Sequence, residues 1–218
     1  LSRQNFSEEL ESMHHELLRM GSLVEKQIDS CITALAKQDG ELAQKIIDDD
    51  DIIDRMETEL EEKCVKMIAR QQPLAIDLRR IFTTIKIVTD LERIADHAVD
   101  IAKVTLRLKD EKYIKPLIDI PRMAEIVQGM IKDSLDAYVR LDTKMAEEIG
   151  KRDDEIDGIY KQVFRELLVI MMQDPRTITQ ATQFLFVCKF LERIADHTTN
   201  ICEWTVYLVT GEHKDLND

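Results

Sequence analysis

The residues best placed to do chemistry are carboxylates repeated at helical spacing. Glu92, Asp96 and Asp100 follow one another at intervals of four, and Glu192, Asp196 and Asn200 repeat that interval. Asp50 and Asp54 form a shorter pair, matched by Asp153 and Asp157. On an α-helix this spacing stacks side chains on one face, a turn apart. Like charges so placed cost roughly 0.2–0.5 kcal/mol per pair, and desolvating an unpaired carboxylate costs far more. A bound hard cation relieves both costs, and all-oxygen donors suit Mg, Ca, Mn or iron rather than a structural zinc site. The competing reading is a solvated acidic face neutralised by Arg79, Arg80, Arg93 or Lys103. Spacing alone leaves both open, and repetition in the two halves weighs toward the cation. Carboxylates that do not repeat read as surface charge: Glu57 and Glu61 map onto Tyr160 and Phe164, and Glu25 and Asp29 onto Gln128 and Lys132.

Catalytic constellations are absent from the sequence. A ferritin-like di-iron bundle needs two Glu-x-x-His motifs, and only Glu11-x-x-His14 fits that pattern. There is no glycine-rich phosphate loop, no Gly-x-Ser-x-Gly and no Cys/His nucleophile spacing. His97 and His197 fall opposite the apolar stripe of their helices, which predicts rings facing solvent or a partner rather than a metal. The sequence reads as a non-enzyme.

The elements that must position the carboxylates are helices. The chain has 218 residues, with only six Gly, four Pro and 5% aromatics, so few turns and long helices are expected. Leu91-Glu92-Arg93-Ile94-Ala95-Asp96-His97 recurs unchanged as residues 191–197, and Asp50 to Asp54 is echoed by Asp153 to Asp157. A repeat of about 100 residues is too long for a solenoid unit and reads as a duplicated domain. Pro73 and Pro175 break each half at matching places, while Pro116 and Pro121 mark the joint. Helices are predicted over 8–38, 40–70, 75–110, 122–141, 143–173 and 177–210, the last ended by Gly211. The expected fold is all-α: six long antiparallel helices in two tandem three-helix bundles, 1–110 and 122–218, joined by a linker over 111–121. Ile53, Met56, Leu60, Cys64 and Met67 form one apolar stripe, and Ile81, Ile85, Val88, Leu91, Ala95 and Ala102 another. Glu92 falls inside the second stripe, and Asp96, Asp50 and Asp54 lie at stripe margins.

Charge narrows the partners. A formal net charge of −13 repels phosphate backbones, which argues against nucleic acid and for cations or basic protein surfaces. With 44% hydrophobic residues the chain is still a folding one, not an acidic tail. The longest apolar run, Leu167 to Met172, is far short of the roughly 20 residues that span a bilayer, so no membrane insertion is expected. Leu1-Ser2-Arg3-Gln4 shows no signal-peptide pattern, and Cys31, Cys64, Cys188 and Cys202 form no Cys-x-x-Cys pair. Buried thiols in a reducing cytoplasm are expected.

The duplicated Leu-Glu-Arg-Ile-Ala-Asp core, the Asp-x-x-Ile-Asp stretch before each copy, Gln72 to Arg79 between them, and the closing Asn200-Ile201-Cys202-Glu203 together resemble the PhoU family. The resemblance runs from about Glu8 to Gly211. It implies a negative regulator of the phosphate-starvation response built as two three-helix bundles. Such a protein works as a cytoplasmic homodimer, peripheral to the inner membrane through its partners. Those partners are the ATPase subunit of the high-affinity phosphate transporter and the cytoplasmic domain of a sensor histidine kinase. The resemblance also implies that multinuclear iron or zinc can sit on Glu92, Asp96, Asp100, Glu192, Asp196, Asp50, Asp54, Asp153 and Asp157, though not every member need hold metal. Ala95 and Ala195 stand where the family commonly has Gly, and Asn200 where the first half has Asp100.

Overall fold

The computed structural model describes residues 3–216, so the outermost residues of the two expected repeats, 1–2 and 217–218, lie outside it. Among the described residues the protein is all-α, with no strand. The order is α1 (Arg3–Lys37), α2 (Gly40–Asp48), α3 (Asp51–Gln71), α4 (Ala75–Leu108), α5 (Asp119–Arg140), α6 (Thr143–Gly150), α7 (Asp153–Gln173) and α8 (Ile178–Thr210). A single 3₁₀ turn, Pro175–Thr177, precedes α8.

Two of the six expected helices are broken. The span 40–70 divides into α2 and α3, and 143–173 into α6 and α7. Four consecutive aspartates run across the first break, Asp49 and Asp50 inside it and Asp48 and Asp51 on either side. Short acidic side chains compete with the helix for backbone hydrogen bonds and repel one another. Lys151 and Arg152 occupy the second, directly after Gly150, a poor helix former at the last position of α6. Each short helix starts on a matched cap: Asp39 accepts from the Leu42 amide at 3.0 Å, and Asp142 from the Lys144 and Met145 amides at 3.1 Å. Pro121 also departs from expectation, since it lies inside the first turn of α5 rather than before the helix. A first-turn amide has no intrahelical acceptor, so proline loses nothing there. Gly211 does end α8, at φ 81°, a left-handed conformation that glycine adopts without penalty.

α4 and α8 lie side by side at the centre. α1 and α3 pack on α4, while α5 and α7 pack on α8. The stripes that the periodicity predicts are buried: Ile53, Leu60, Cys64 and Met67 from α3, and Ile81, Val88, Leu91, Ala95 and Ala102 from α4. All four cysteines are free and buried. The stretch between α4 and α5 is fastened to both halves. Gln38 Nε2 donates to the carbonyls of Leu108 and Glu111 at 2.8 and 2.7 Å, and the Ile114 amide donates to Gln180 Oε1 at 2.6 Å. No described helix is long and apolar enough to cross a membrane.

Candidate functional site

α3 packed on α4 brings the first set of carboxylates together. Asp50 stands at the start of α3 as its N-terminal flanking residue, with Asp54 a turn later, and both face α4. Glu92, on α4, keeps only 13% of its side chain exposed, because it sits in the apolar stripe beside Val88 and Leu91. Burial, then the charges of Asp96 and Glu57, push its carboxyl up to about 7. Burial, then Asp54 and Asp96, push Asp50 up to about 6. Asp50 Oδ1 and Glu92 Oε2 are buried with no hydrogen-bond partner in the chain. Arg93 offers partial relief, with Nε 3.3 Å from Glu92 and Nη1 3.1 Å from Asp96.

α7 on α8 repeats the arrangement with fewer acids. Burial, followed by Asp196 and Asp157, pushes Asp153 up to about 7, and its Oδ1 is likewise buried and unpartnered. Burial and the neighbouring Glu192 raise Asp196 as well. Here the chain supplies its own cation. Lys189, which stands where the first half has Thr89, pairs with Glu192 and lies 5.7 Å from the centre of the Tyr160 ring. Lys161 holds Asp157 at 2.9 Å.

The donor chemistry fits a hard cation, since the unsatisfied oxygens of the two grooves belong to carboxylates whose charged form is opposed first by burial and then by neighbouring acids. Among the described residues, no three His, Cys, Asp or Glu side chains converge on one point. The grooves therefore offer unsatisfied oxygens rather than a closed cage. Asp100 stands apart from the other predicted ligands: it meets Lys103 at 3.2 Å and His97 at 3.8 Å. Two residues read as surface charge belong to the first groove. Glu57 is half-buried, its carboxyl raised by burial and by Glu61, and it acts in turn on Glu92. Glu57 and Glu61 follow Asp54 on one helical face, a spacing that points to the groove although neither acid repeats in the second half.

The histidines are the clearest correction. His97 and His197 do not face solvent but meet each other between α4 and α8, with ring centres 5.9 Å apart. A helix buried at the centre of the molecule has a second packed face, so lying opposite one apolar stripe does not mean exposure. His197 Nδ1 is 2.9 Å from Asp90 Oδ1, and Asn200 Nδ2 donates to the same oxygen at 3.1 Å. In the matching place Phe190 replaces Asp90, and it stacks on the His97 ring at 5.7 Å.

The PhoU domain family matches the chain twice, over residues 17–105 and 120–205. A phosphate-specific transport system accessory protein PhoU homolog of Clostridium acetobutylicum is 57% identical over 219 aligned positions, covering 100% of each chain. A Pseudomonas aeruginosa protein of the same description is 40% identical, across 95% of this chain and 86% of its own. The crystal structure of PhoU from Pseudomonas aeruginosa superposes with a TM-score of 0.91 at 39% identity, covering 95% of this chain and 100% of that one. The phosphate transport system regulatory protein PhoU from Streptococcus pneumoniae superposes at 0.90, with 33% identity and coverage of 96% and 99%. These relatives are described as accessory and regulatory proteins, not as enzymes. With a family match on each repeat and a relative alike from end to end, this chain belongs to the PhoU family.

Proposed function

We propose that the protein is a non-enzymatic accessory regulator of phosphate transport that keeps the phosphate-starvation response off when phosphate is plentiful. The observation that carries this is end-to-end similarity to a phosphate transport accessory protein at 57% identity. In this reading it is a cytoplasmic homodimer built of two repeats, 1–110 and 122–218, joined through 111–121. It links the ATPase subunit of the high-affinity phosphate transporter to the cytoplasmic domain of a sensor histidine kinase, and reaches the inner membrane only through them.

Metal on the carboxylate grooves is part of the same reading, supported by the unpartnered oxygens of Asp50, Glu92 and Asp153. Asp50, Asp54, Glu92 and Asp96 would hold it in the first half, with Asp153, Asp157, Glu192 and Asp196 in the second. Asp100 is the weakest member of the set because Lys103 already engages it. Multinuclear iron, or Mg, Mn or Ca, suits oxygen donors better than zinc does. A bound cation would neutralise the grooves and draw α3 against α4 and α7 against α8. The function is tested with a deletion strain in phosphate-rich medium. Alkaline phosphatase activity should be high there and should fall when the gene is restored; activity that stays low throughout rejects the repressor role.

A further inference from the structure

The break between α2 and α3 leaves a half-open cleft of about 240 Å³ against α1. Its floor is aliphatic: Leu42 and Ile46 from α2, and Ile52, which is 40% exposed, from α3. Its rim carries Lys26 and Lys45, neither of which has an ion-pair or hydrogen-bond partner for its ammonium among the described residues. Asp49 is the one acid on the rim. Two unpaired ammonium groups over an aliphatic floor are unexpected in a chain of net charge −13, where acids to pair with are plentiful. Gln27 Oε1, also at the cleft, is buried and accepts no hydrogen bond from the chain.

The second repeat shows what this place looks like when it is closed. In the ungapped register that pairs Asp39 with Asp142, Ser30 corresponds to Asp133, Asp49 to Arg152, and Lys26 to Gly129. Arg152 Nη1 bonds Asp133 Oδ2 at 2.5 Å across the gap, lying 4.0 Å from where a side chain on Gly129 would begin. Lys45 has become Glu148. The second repeat therefore has an ion pair bridging the break and Gly129 and Glu148 in the places of the two lysines, whereas the first has neither bridge nor pairing for Lys26 and Lys45.

We propose that the first-repeat cleft binds an aliphatic carboxylate, with its hydrocarbon on Ile46 and Ile52 and its acid between Lys26 and Lys45. A cleft of this volume takes one short branched chain rather than a drug-sized body. Such a chain could arrive as a free acid or as the C-terminus of a peptide ending in an aliphatic residue. Only the peptide carries an N–H beside the acid to satisfy Gln27 Oε1. The site is separate from the carboxylate grooves and does not depend on the regulatory reading.

The test is a titration of the full ¹⁵N-labelled protein with 4-methylpentanoate and, separately, with acetyl-Gly-Gly-Leu, followed by ¹H–¹⁵N spectra. Saturable shifts of α1 and α2 amides lining the cleft are expected, at least tenfold weaker with 4-methylpentanamide or the peptide amide. Tighter binding of the peptide assigns a protein terminus as the source, and equal or tighter binding of 4-methylpentanoate assigns a free acid. The double variant S30D/D49R, which copies the Asp133–Arg152 pair, should abolish the shifts while keeping the melting temperature. Lys45→Glu, a surface change with no structural partner, should weaken binding at least tenfold and keeps the test valid should the double variant misfold. No saturable shift with either acid, amides that bind as well as acids, or binding that survives Lys45→Glu would overturn the site.

Discussion

At the residue scale, Glu92 decides most of what the first groove does. Its carboxyl is almost wholly withdrawn from water, beside other acids, with Arg93 as a partial partner. Glu92→Gln keeps the shape and removes the charge. Without metal at pH 8, that change should stabilise the protein by about 1 kcal/mol, raising its melting temperature by about 2–4 °C. It should also remove any rise in melting temperature that excess Mn or Fe gives the wild type. A lower melting temperature would show the charge to be satisfied as it stands. Glu92, Asp50 and Asp153 have folded-state pKa values above their ordinary ones, up to about 7, 6 and 7. Each therefore binds a proton more tightly when folded, and its contribution to stability is full below about pH 4 and is lost as pH rises toward 7. Denaturation midpoints across that range should fall more steeply for the metal-free wild type than for E92Q/D50N/D153N; identical slopes would remove the repulsion. The sequence made Glu92 legible because a charge inside an apolar stripe stands out on a helical wheel. Glu57 and Lys189 are not legible, because each is specific to one half and leaves no repeated pattern.

At the element scale, helix type and order could be read from the scarcity of Gly and Pro and from the stripes, but the breaks at Asp48–Asp51 and Gly150–Arg152 could not. Both are local, and both leave the apolar pattern on either side intact, so periodicity runs straight through them. Capping is what makes the short helices viable. Nine residues in α2 and eight in α6 are too few to persist without tertiary packing and a satisfied N-terminus. Asp142→Ala leaves the Lys144 and Met145 amides without their acceptor and should cost about 1 kcal/mol in urea denaturation. An unchanged midpoint would mean that water replaces the cap at no cost.

At the scale of the whole molecule, α4 and α8 join the halves into one core, and the contact between them is where equivalent residues meet. Asp90 accepts from both His197 and Asn200 at a site the sequence did not suggest, since a contact between residues over a hundred positions apart leaves no periodic trace. Asp90→Ala should destabilise the protein by about 1–3 kcal/mol, because two half-buried polar groups lose their acceptor together. Chemical denaturation of the full chain reads this directly, and a loss well below that range would give the pair no structural weight. The meeting of His97 with His197 has a consequence for descent. Were one repeat to pair with an identical copy, every substitution along this seam would appear on both sides at once, and Asp90 could never face one histidine while Phe190 faces the other. Fusion of the copies into a single gene removes that constraint, so each side of the seam can drift alone. The aspartate beside one ring and the phenylalanine against the other record that freedom.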